Sequence, residues 1–504
     1  MIIGIDLGTS NSAAAYFDGR TARMFEIDGI ETIMPSVVTI GPDAALVGKD
    51  AVDLGRRHPE FCFRHFKRRL AEHWNDDEDT GHQTCEGKDA DGNPNGMTHY
   101  RGPDGTTYSP VDLTSYVIGA LIDAANAKLM PQDEVTGAVI GVPADFTQAQ
   151  CAAVEEAARK AGLTRVELIH EPTAAALAYG YDSKKVRRIA VFDLGGGTFD
   201  ISIIQTGGGH VEVKANGGIR DCGGTDWDRR LSDWVVNVFA TQNKMSDGTP
   251  INLADDGFAM ILLRTEAEEA KKRLTSKSET RFLVRDIAKG PEGEDLPADF
   301  VIKQGLFNEL TRSLRERVIY ACKSAVDNMR LKDPKFSVRD LNDVLLVGGM
   351  SRVPAIRDDV AEFFGKQPNK LESPEAVVAM GAAIRAAILE GRRPDFSISD
   401  ITSHTLALEV AGDIAAVVFP KGTEYPAEKT ITLVNEKDGQ GALSIRLIQG
   451  EGHRPDVCEL LAAADIEVEP GPAQSTRLKM TVRLDQSGRP SAETEGWKYG
   501  DRAA

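Results

Sequence analysis

The chain carries Asp193-Leu194-Gly195-Gly196-Gly197-Thr198-Phe199-Asp200 near its middle and a shorter copy, Asp6-Leu7-Gly8-Thr9-Ser10-Asn11, at its start. An apolar run precedes each copy, Met1 to Ile5 and Ile189 to Phe192. Such runs predict buried strands that deliver an aspartate to the strand end, where ligands bind. Two copies of one arrangement therefore predict two halves of an α/β fold that face a single ligand.

The residues of both copies have the chemistry of a phosphate site. Consecutive glycines let backbone N–H groups turn toward one anion at close range. The hydroxyls of Thr9, Ser10 and Thr198 can bond phosphate oxygens or orient an attacking water. A carboxylate repels phosphate unless a metal ion lies between them, and Mg²⁺ prefers one or two carboxylates together with substrate phosphates. Asp6 and Asp193 thus predict magnesium-assisted phosphoryl transfer.

Plainer interpretations exist for each motif. Asp-Leu-Gly-Thr alone is as often a plain tight glycine turn as a phosphate-binding one. Neither copy matches the GxxxxGK[ST] pattern of P-loops or the GxGxxG pattern of dinucleotide-binding folds, so both of those sites are set aside. Glu268, Lys271 and Thr275 share one face of a predicted helix over 264–274, which by itself would more often be solvated surface. The strand predicted over 343–347 ends at Gly348-Gly349, where bare backbone would let a flat base approach.

Further segments resemble the DnaK-type family of seventy-kilodalton heat-shock chaperones, whose nucleotide-binding domain shares its fold with actin and the sugar kinases. They follow the family order over residues 1 to about 390, and lie at 139–144, 171–180, 223–226, 268–275 and 347–354. The resemblance implies a two-lobed, actin-like (ribonuclease H-like) α/β ATPase domain. It also implies that ATP is hydrolysed to ADP with Mg²⁺, and it adds K⁺ as a candidate ion.

The resemblance also assigns roles to single residues. Catalysis falls to Asp6, Lys67, Glu171, Asp193 and Thr198, with Lys67 reaching the γ-phosphate, although a lysine beside Arg68 and Arg69 would otherwise be a solvated helix face. Asp6, Glu171, Asp193 and Asp200 would hold the metal, mostly through water. The nucleotide contacts fall to Gly8, Thr9, Ser10, Asn11, Gly195, Gly196, Gly197, Gly223, Gly224, Glu268, Lys271, Lys272, Thr275, Gly348, Gly349, Met350, Arg352 and Glu375.

The organisation along the chain predicts three units. The ATPase domain covers 1–391, with one lobe over about 1–182 and the other over about 183–391. A linker follows at 392–400, and short β-like runs separated by Gly, Pro and Asp predict a small antiparallel β-sandwich domain over 401–504. The polar stretch 75–107 is rich in Gly, Asp and Asn and is predicted to be loop-rich surface.

Composition and charge limit the kinds of partner and compartment that we expect. A formal charge of −18 on 504 residues argues against nucleic-acid binding, since no long basic stripe is present. The six cysteines are scattered without a Cys-x-x-Cys pair, so we expect reduced thiols. No apolar run approaches the roughly 20 residues of a membrane span, and no basic leader precedes the first strand. We therefore expect a cytoplasmic protein without membrane contact.

The chain also departs from the family pattern. A helical lid of the usual kind does not fit between the last β-like run and Ala504. In the linker, which is usually aliphatic, Ser397 and Ser399 interrupt the apolar run. Cys151 occupies the position where the family usually has an arginine that signals between the domains. Pro143, the family's switch proline, is present, whereas Thr225 replaces an acidic residue and Lys272 an arginine. The nucleotide site is therefore the firmer expectation, and coupling between the domains the weaker one.

Three functions remain open from the sequence. The first is an ATP-hydrolysing chaperone-like protein that binds unfolded or extended polypeptides, with a J-domain co-chaperone and a nucleotide exchange factor as candidate partners. The second is an ATP-dependent protein that binds one dedicated client. The third is a small-molecule kinase of the same fold, in which an aspartate deprotonates a substrate hydroxyl.

Overall fold

The computed structural model describes residues 1–27, 29–41, 44–75, 84–88, 93–103, 105–130, 133–180, 185–369, 373–410 and 413–500. The sheet of the first lobe has the strand order Arg165–His170, Gly137–Val142, Ile2–Leu7, Asn11–Phe17 and Ala22–Met24, with Met34–Pro35 pairing Asn11–Phe17. Its first three strands are parallel. Since parallel strands end at the same edge of a sheet, Asp6, Pro143 and Glu171 are brought together there.

The sheet of the second lobe repeats this arrangement. Its strand order is Asp343–Val347, Arg187–Leu194, Phe199–Gly207, His210–Ile219, Ser397–Ile401 and Glu424–Tyr425. Arg187–Leu194 and Asp343–Val347 are parallel, so Asp193 and Gly348 emerge at one edge. Smaller sheets join Ala45–Val47, Val37–Ile40 and Cys62–Arg64 on the first lobe, and Glu279–Lys289 with Asp295–Lys303 on the second.

Ten α-helices lie within the described residues. They are Gly48–Gly55, Pro110–Asn126, Gln148–Lys160, Glu171–Gly180, Gly224–Gln242, Gly257–Leu274, Gln304–Leu310, Arg312–Lys332, Pro354–Phe364 and Val377–Leu389. Two of them, Glu171–Gly180 and Val377–Leu389, are buried nearly throughout. Small residues let their backbones touch, because a methyl group added at Gly381 would lie 1.8 Å from the Ala174 carbonyl oxygen.

Two four-stranded sheets form the β domain. One has the order Ile414–Phe419, Leu406–Val410, Ala442–Gln449 and Glu459–Glu467, and the other Ala427–Val434, Arg477–Leu484, Pro490–Thr494 and Trp497–Tyr499. Both sheets contribute to one buried cluster that includes Leu408, Leu447 and Met480. The predicted fold class, an α/β two-lobed domain followed by a β-sandwich, is confirmed.

The prediction of a loop-rich surface over 75–107 is wrong for the described part of that stretch. Thr84–Lys88, Pro94–Arg101 and Thr107–Tyr108 form a three-stranded sheet. Thr98 and Tyr100 point inward at alternate positions, and Tyr100 packs on Phe63 in the core of the first lobe. The Gly, Asp and Asn content masked the strands, whose buried side chains are only those of Thr84, Cys85, Thr98 and Tyr100. Positions 76–83, 89–92 and 104 lie outside the described residues.

The predicted linker contributes a strand. Ser397–Ile401 pairs in parallel with His210–Ile219 of the second lobe and antiparallel with Glu424–Tyr425 of the β domain. Ser397 and Ser399, which interrupt the apolar run, do not prevent this pairing, because a parallel ladder is made by backbone groups. The Ser397 hydroxyl is itself hydrogen-bonded to His210 at 2.8 Å. The same strand therefore joins the second lobe to the β domain.

Candidate active site

A cleft of about 320 Å³ separates the two lobes at the strand ends described above. Most of the predicted site residues line it, namely Asp6, Gly8, Thr9, Ser10, Asn11, Lys67, Glu171, Asp193, Gly195, Gly196, Thr198, Gly224, Glu268, Lys271, Lys272, Thr275, Gly348, Gly349, Met350, Arg352 and Glu375. Gly197, Gly223, Asp200, Pro143 and Cys151 lie outside its lining. The volume suits a small ligand of nucleotide size.

One end of the cleft concentrates negative charge. Asp6 comes from strand Ile2–Leu7 and Asp193 from strand Arg187–Leu194, and Glu171 begins a helix of the first lobe. The single buried cation facing them is Lys67, among the lining residues, whose Nζ donates to Glu171 Oε1 at 2.8 Å and lies 5.3 Å from the centre of the Phe146 ring. Lys67 is only 3% exposed, so its charge is directed into the cleft.

Burial and mutual repulsion perturb these carboxyl groups. Burial, followed by the charge of Glu171, raises the pKa of Asp6 to about 8, although Lys67 opposes the shift. The pKa of Asp193 and that of Asp200 are likewise held well above the ordinary value, by burial first and by Glu171 next. Asp6, Glu171 and Asp193 thus share one lysine, an excess of negative charge that a divalent cation would balance.

This donor set fits Mg²⁺ held largely through water and phosphate. Within the described residues, no group of three or more His, Cys, Asp or Glu side chains is arranged to hold a metal ion directly. Mg²⁺ retains several waters and takes only one or two protein carboxylates beside phosphate oxygens. Asp6 and Asp193 line the cleft for that purpose, whereas Asp200, 1% exposed, lies behind it.

The two glycine turns pack against each other across the cleft. A methyl group added at Gly196 would lie 2.2 Å from Ser10 Oγ, and one at Gly197 would lie 2.6 Å from Thr9 Oγ1. Gly223 packs on Gly197 closely enough that a methyl group added at Gly223 would lie 2.5 Å from the backbone nitrogen of Gly197. Gly197 and Gly223 therefore let the turns approach, rather than lining the cleft.

The opposite end of the cleft is built from the second lobe. Gly348 has φ +79°, and an added methyl group would lie 2.4 Å from the Leu194 carbonyl oxygen, so only glycine fits this turn. A methyl group added at Gly349 would have free space around it, with Glu375 Oε1 at 4.0 Å. Arg352 crosses above as a bidentate pair with Glu375, at 2.8 and 2.9 Å. A flat group can therefore lie against bare backbone here.

Helix Gly257–Leu274 supplies three charged side chains to this end. Lys271 Nζ donates to Asp228 at 2.8 Å and to the Gly224 carbonyl at 2.9 Å. Lys272 lies 3.0 Å from Glu268. Burial alone would raise the pKa of Glu268, but Lys272 and Lys271 outweigh it and lower that pKa to about 2. Burial raises the pKa of Asp228 to about 7, against the opposing charge of Lys271.

Sequence reasoning missed some of the site residues. Asp228, which anchors Lys271, lies two positions beyond the 223–226 motif, and extending the motif along the helix would have found it. The apolar residues Val347, Val353, Pro374 and Val378 also line the cleft, and their types gave no signal. Arg68, which binds residues of the second lobe, was noted only as part of a basic cluster.

Pro143 and Cys151 lie at the boundary with the β domain. Cys151 and the residue after Pro143, Ala144, line a cavity of about 290 Å³ between the first lobe, the linker strand and the β domain. Burial raises the pKa of the Cys151 thiol to about 12, so this cysteine is a neutral packing residue. Their predicted role in coupling stays a prediction.

Polar contacts cross this boundary. Asp400 of the linker strand accepts hydrogen bonds from Thr173 at 2.7 Å and lies 3.1 Å from His170 Nδ1. Gln148 N donates to Gln449 Oε1 at 3.1 Å, and Glu155 is paired with Arg489. The linker and the β domain are thus held against the first lobe by polar groups.

Comparison with known proteins covers nearly the whole chain. A family model described as Hsp70 protein matches residues 2–495. A protein named chaperone protein DnaK from Thermotoga neapolitana is 36% identical over 97% of this chain and 77% of its own length. Proteins of the same name from Thermotoga petrophila and Thermotoga maritima are 35% identical over the same shares. Among the helices described, none is long and apolar enough to cross a membrane.

Proposed function

Because the chain belongs to the Hsp70 family, a family of ATPases and chaperones, we propose that it hydrolyses ATP to ADP and phosphate and uses this cycle to control binding of unfolded or extended polypeptides. One observation carries the enzymatic part. The cleft places two glycine turns, one from each lobe, against a cluster of carboxyl groups that faces a single buried lysine. That combination suits a triphosphate with a divalent cation and little else.

The residues divide the chemistry between them. Mg²⁺, held through water by Asp6, Asp193 and Glu171, would neutralise charge on the phosphates. Asp193 and the Thr198 hydroxyl orient a water molecule, whose oxygen bonds to the γ-phosphorus while the bond to the β,γ-bridging oxygen breaks. The bridging electron pair stays on ADP, and the water gives up a proton to the solvent. Lys67 stabilises the charge on the transferred group, and Asp200 supports the network from behind.

The other end of the cleft would hold adenosine. The base lies against Gly348 and Gly349, beside Met350 and the Arg352–Glu375 pair, and Glu268, Lys271, Lys272 and Thr275 line the cleft from the helix. Lys272 is 54% exposed and forms ion pairs with Glu268 and Glu269. It therefore contributes less to binding than the buried Lys271.

The β domain offers a surface for an extended peptide. Strand Ile414–Phe419 lies at the edge of its sheet in the described part of the chain, and Ile414 and Val417 are each 54% exposed. An edge strand with exposed apolar side chains can add a peptide strand through backbone hydrogen bonds. A single dedicated client would use the same surface, and a J-domain co-chaperone and an exchange factor remain proposed partners.

ATP turnover of the purified chain, alone and with an extended apolar peptide, tests this function. We expect slow turnover that the peptide stimulates and that Lys67→Ala abolishes. A panel of unrelated unfolded peptides separates the two client classes, because broad competition supports general clients and one tight ligand supports a dedicated partner. Transfer of phosphate to a sugar or similar acceptor instead of water would refute the proposal.

A further inference from the structure

A second cavity, of about 420 Å³, meets the nucleotide cleft at its phosphate end. The two spaces share Thr9, Lys67 and Thr198 as lining residues. None of the residues that would hold adenosine lines the second cavity. It extends instead between the first lobe, at Gln150, and the loop of the second lobe at Arg220 and Asp221. The second cavity therefore adjoins the phosphate end of the cleft, on a side away from the residues that would hold adenosine.

Reciprocal ion pairs between the lobes flank this cavity. Arg68 of the first lobe binds Thr225 and lies 3.3 Å from both Asp226 Oδ2 and Asp221 Oδ1 of the second. The neighbour of Asp221, Arg220, lies 3.5 Å from Asp145 Oδ2 of the first lobe. Both arginines line the cavity, and arginine is a strong partner for phosphate oxygens.

Phosphate released beside Thr198 is a multiply charged anion that borders both the nucleotide cleft and the second cavity. ADP, bound in the cleft, obstructs the way toward the base. We propose that the second cavity is the exit route for inorganic phosphate, with Arg68 and Arg220 guiding it and their ion pairs forming the gate. This inference rests on the proposed ATP hydrolysis.

The outer pairs of the gate are weak, because Asp221 is 84% exposed and the Arg220 side chain 46% exposed. The pair of Arg68 with Asp226 is less exposed and is the firmer part of the gate. All of these pairs are made by side chains, and the backbone bonds from Gly224 N to Gly195 O and from Thr225 N to Gly196 O are not part of the gate. Phosphate can thus leave while ADP stays bound.

The β domain also reaches this cavity. Glu459, which begins strand Glu459–Glu467, lines it together with Thr147 and Gln150 of the first lobe. A docked β domain therefore adds a carboxylate to the path of a departing anion. We expect phosphate to leave faster once the β domain undocks.

Two substitutions at one position test the route. Arg220→Ala and Arg220→Trp both remove the charge and the pair with Asp145, but only the indole fills the cavity. In single turnovers of the full chain, cleavage is measured by acid quench, phosphate release with a fluorescent phosphate sensor, and ADP release with a labelled nucleotide. Asp358→Trp, at an exposed position of helix Pro354–Phe364, controls for a surface tryptophan.

The expected result is phosphate release about tenfold slower in Arg220→Trp than in Arg220→Ala, a change of about 1.4 kcal/mol in the barrier, with cleavage and ADP release alike in both. Equal phosphate release in the two variants overturns the route, as does phosphate release that follows ADP release in every variant, or a difference in cleavage. A wild-type chain that cleaves no ATP overturns the proposed function itself, which the quench measurement detects separately.

Discussion

The contact between Glu155 and Arg489 offers the sharpest test of how the β domain is held. Glu155 lies on helix Gln148–Lys160 of the first lobe, and Arg489 precedes strand Pro490–Thr494 of the β domain. Their side chains are 7% and 22% exposed. We therefore expect Glu155→Gln and Arg489→Gln each to weaken docking without unfolding either domain.

The size of the effect follows from burial. An exposed pair would contribute about 0 to 1 kcal/mol, and loss of one partner of a fully buried pair costs about 3 to 5 kcal/mol. Glu155 is nearly buried but keeps Arg159 as a second partner at 2.9 Å, and Arg489 is partly open to water. We expect about 2 kcal/mol for each single change, or roughly a thirtyfold shift of the docking equilibrium.

Hydrogen exchange of the linker strand reports docking directly. Ser397–Ser399 pair with His210–Glu212 of the second lobe, and we expect this pairing to open when the β domain undocks, so the protection of their amides should fall about thirtyfold in each single variant. The double variant should lose no more than either single one, since the two residues act as a pair. Arg446→Gln, which breaks a pair with Glu409 inside the β domain, is the matched control. Unchanged protection in the singles, or fully additive losses in the double, would refute this reasoning.

Three further outcomes are expected. Lys67→Ala should lower the single-turnover cleavage rate by about 10² to 10³ and leave the ADP affinity nearly unchanged. Lys272→Ala should do the reverse, weakening ADP binding with little effect on cleavage. Quench assays measure the cleavage rate, and equilibrium binding measures the affinity. Gly381→Ala should destabilise the chain by about 3 kcal/mol or more in denaturant unfolding, because the added methyl group meets the backbone of Ala174. The lowered pKa of Glu268 stabilises the folded state above pH 4.5, and this stability is lost as pH falls through about 2. Glu268→Gln should therefore lower the free energy of unfolding by up to about 3 kcal/mol above pH 4.5. Equal stability of the two proteins at pH 6 would contradict this.

Local sequence signals were sufficient where one element carries the chemistry. The strand expected over 343–347 is found at Asp343–Val347, because an apolar run that ends in two glycines leaves little choice of boundary. The aspartates of both glycine turns face one cleft as expected, since each lies near the end of a strand that has a parallel neighbour in its sheet. Residues 75–107 misled because their turn-forming residues outnumber the buried side chains of the strands there, those of Thr84, Cys85, Thr98 and Tyr100.

Long-range contacts were beyond local patterns. Arg68 meets Asp226 across the cleft, 158 positions away, and Gln148 meets Gln449 across 301 positions. Both arginine and glutamine are ordinary surface residues by type, so nothing in their neighbourhood distinguishes a partner in the other lobe from water. Such contacts depend on how the finished units pack, which the periodicity of a single element does not record.

The nucleotide cleft and the linker strand share one anchoring point on the first lobe. Glu171 accepts the hydrogen bond from Lys67 in the cleft. His170, directly before it, and Thr173, two residues after it, hold Asp400 of the linker strand. Glu171 and Thr173 are buried at the start of one helix, where close packing prevents one residue from moving without the next. We therefore expect a change in the charge facing Glu171 to reach Asp400 through the start of this helix. These contacts to Asp400 are polar, so they do not depend on the apolar linker surface that Ser397 and Ser399 interrupt. We therefore expect peptide binding to the β domain to alter ATP turnover still.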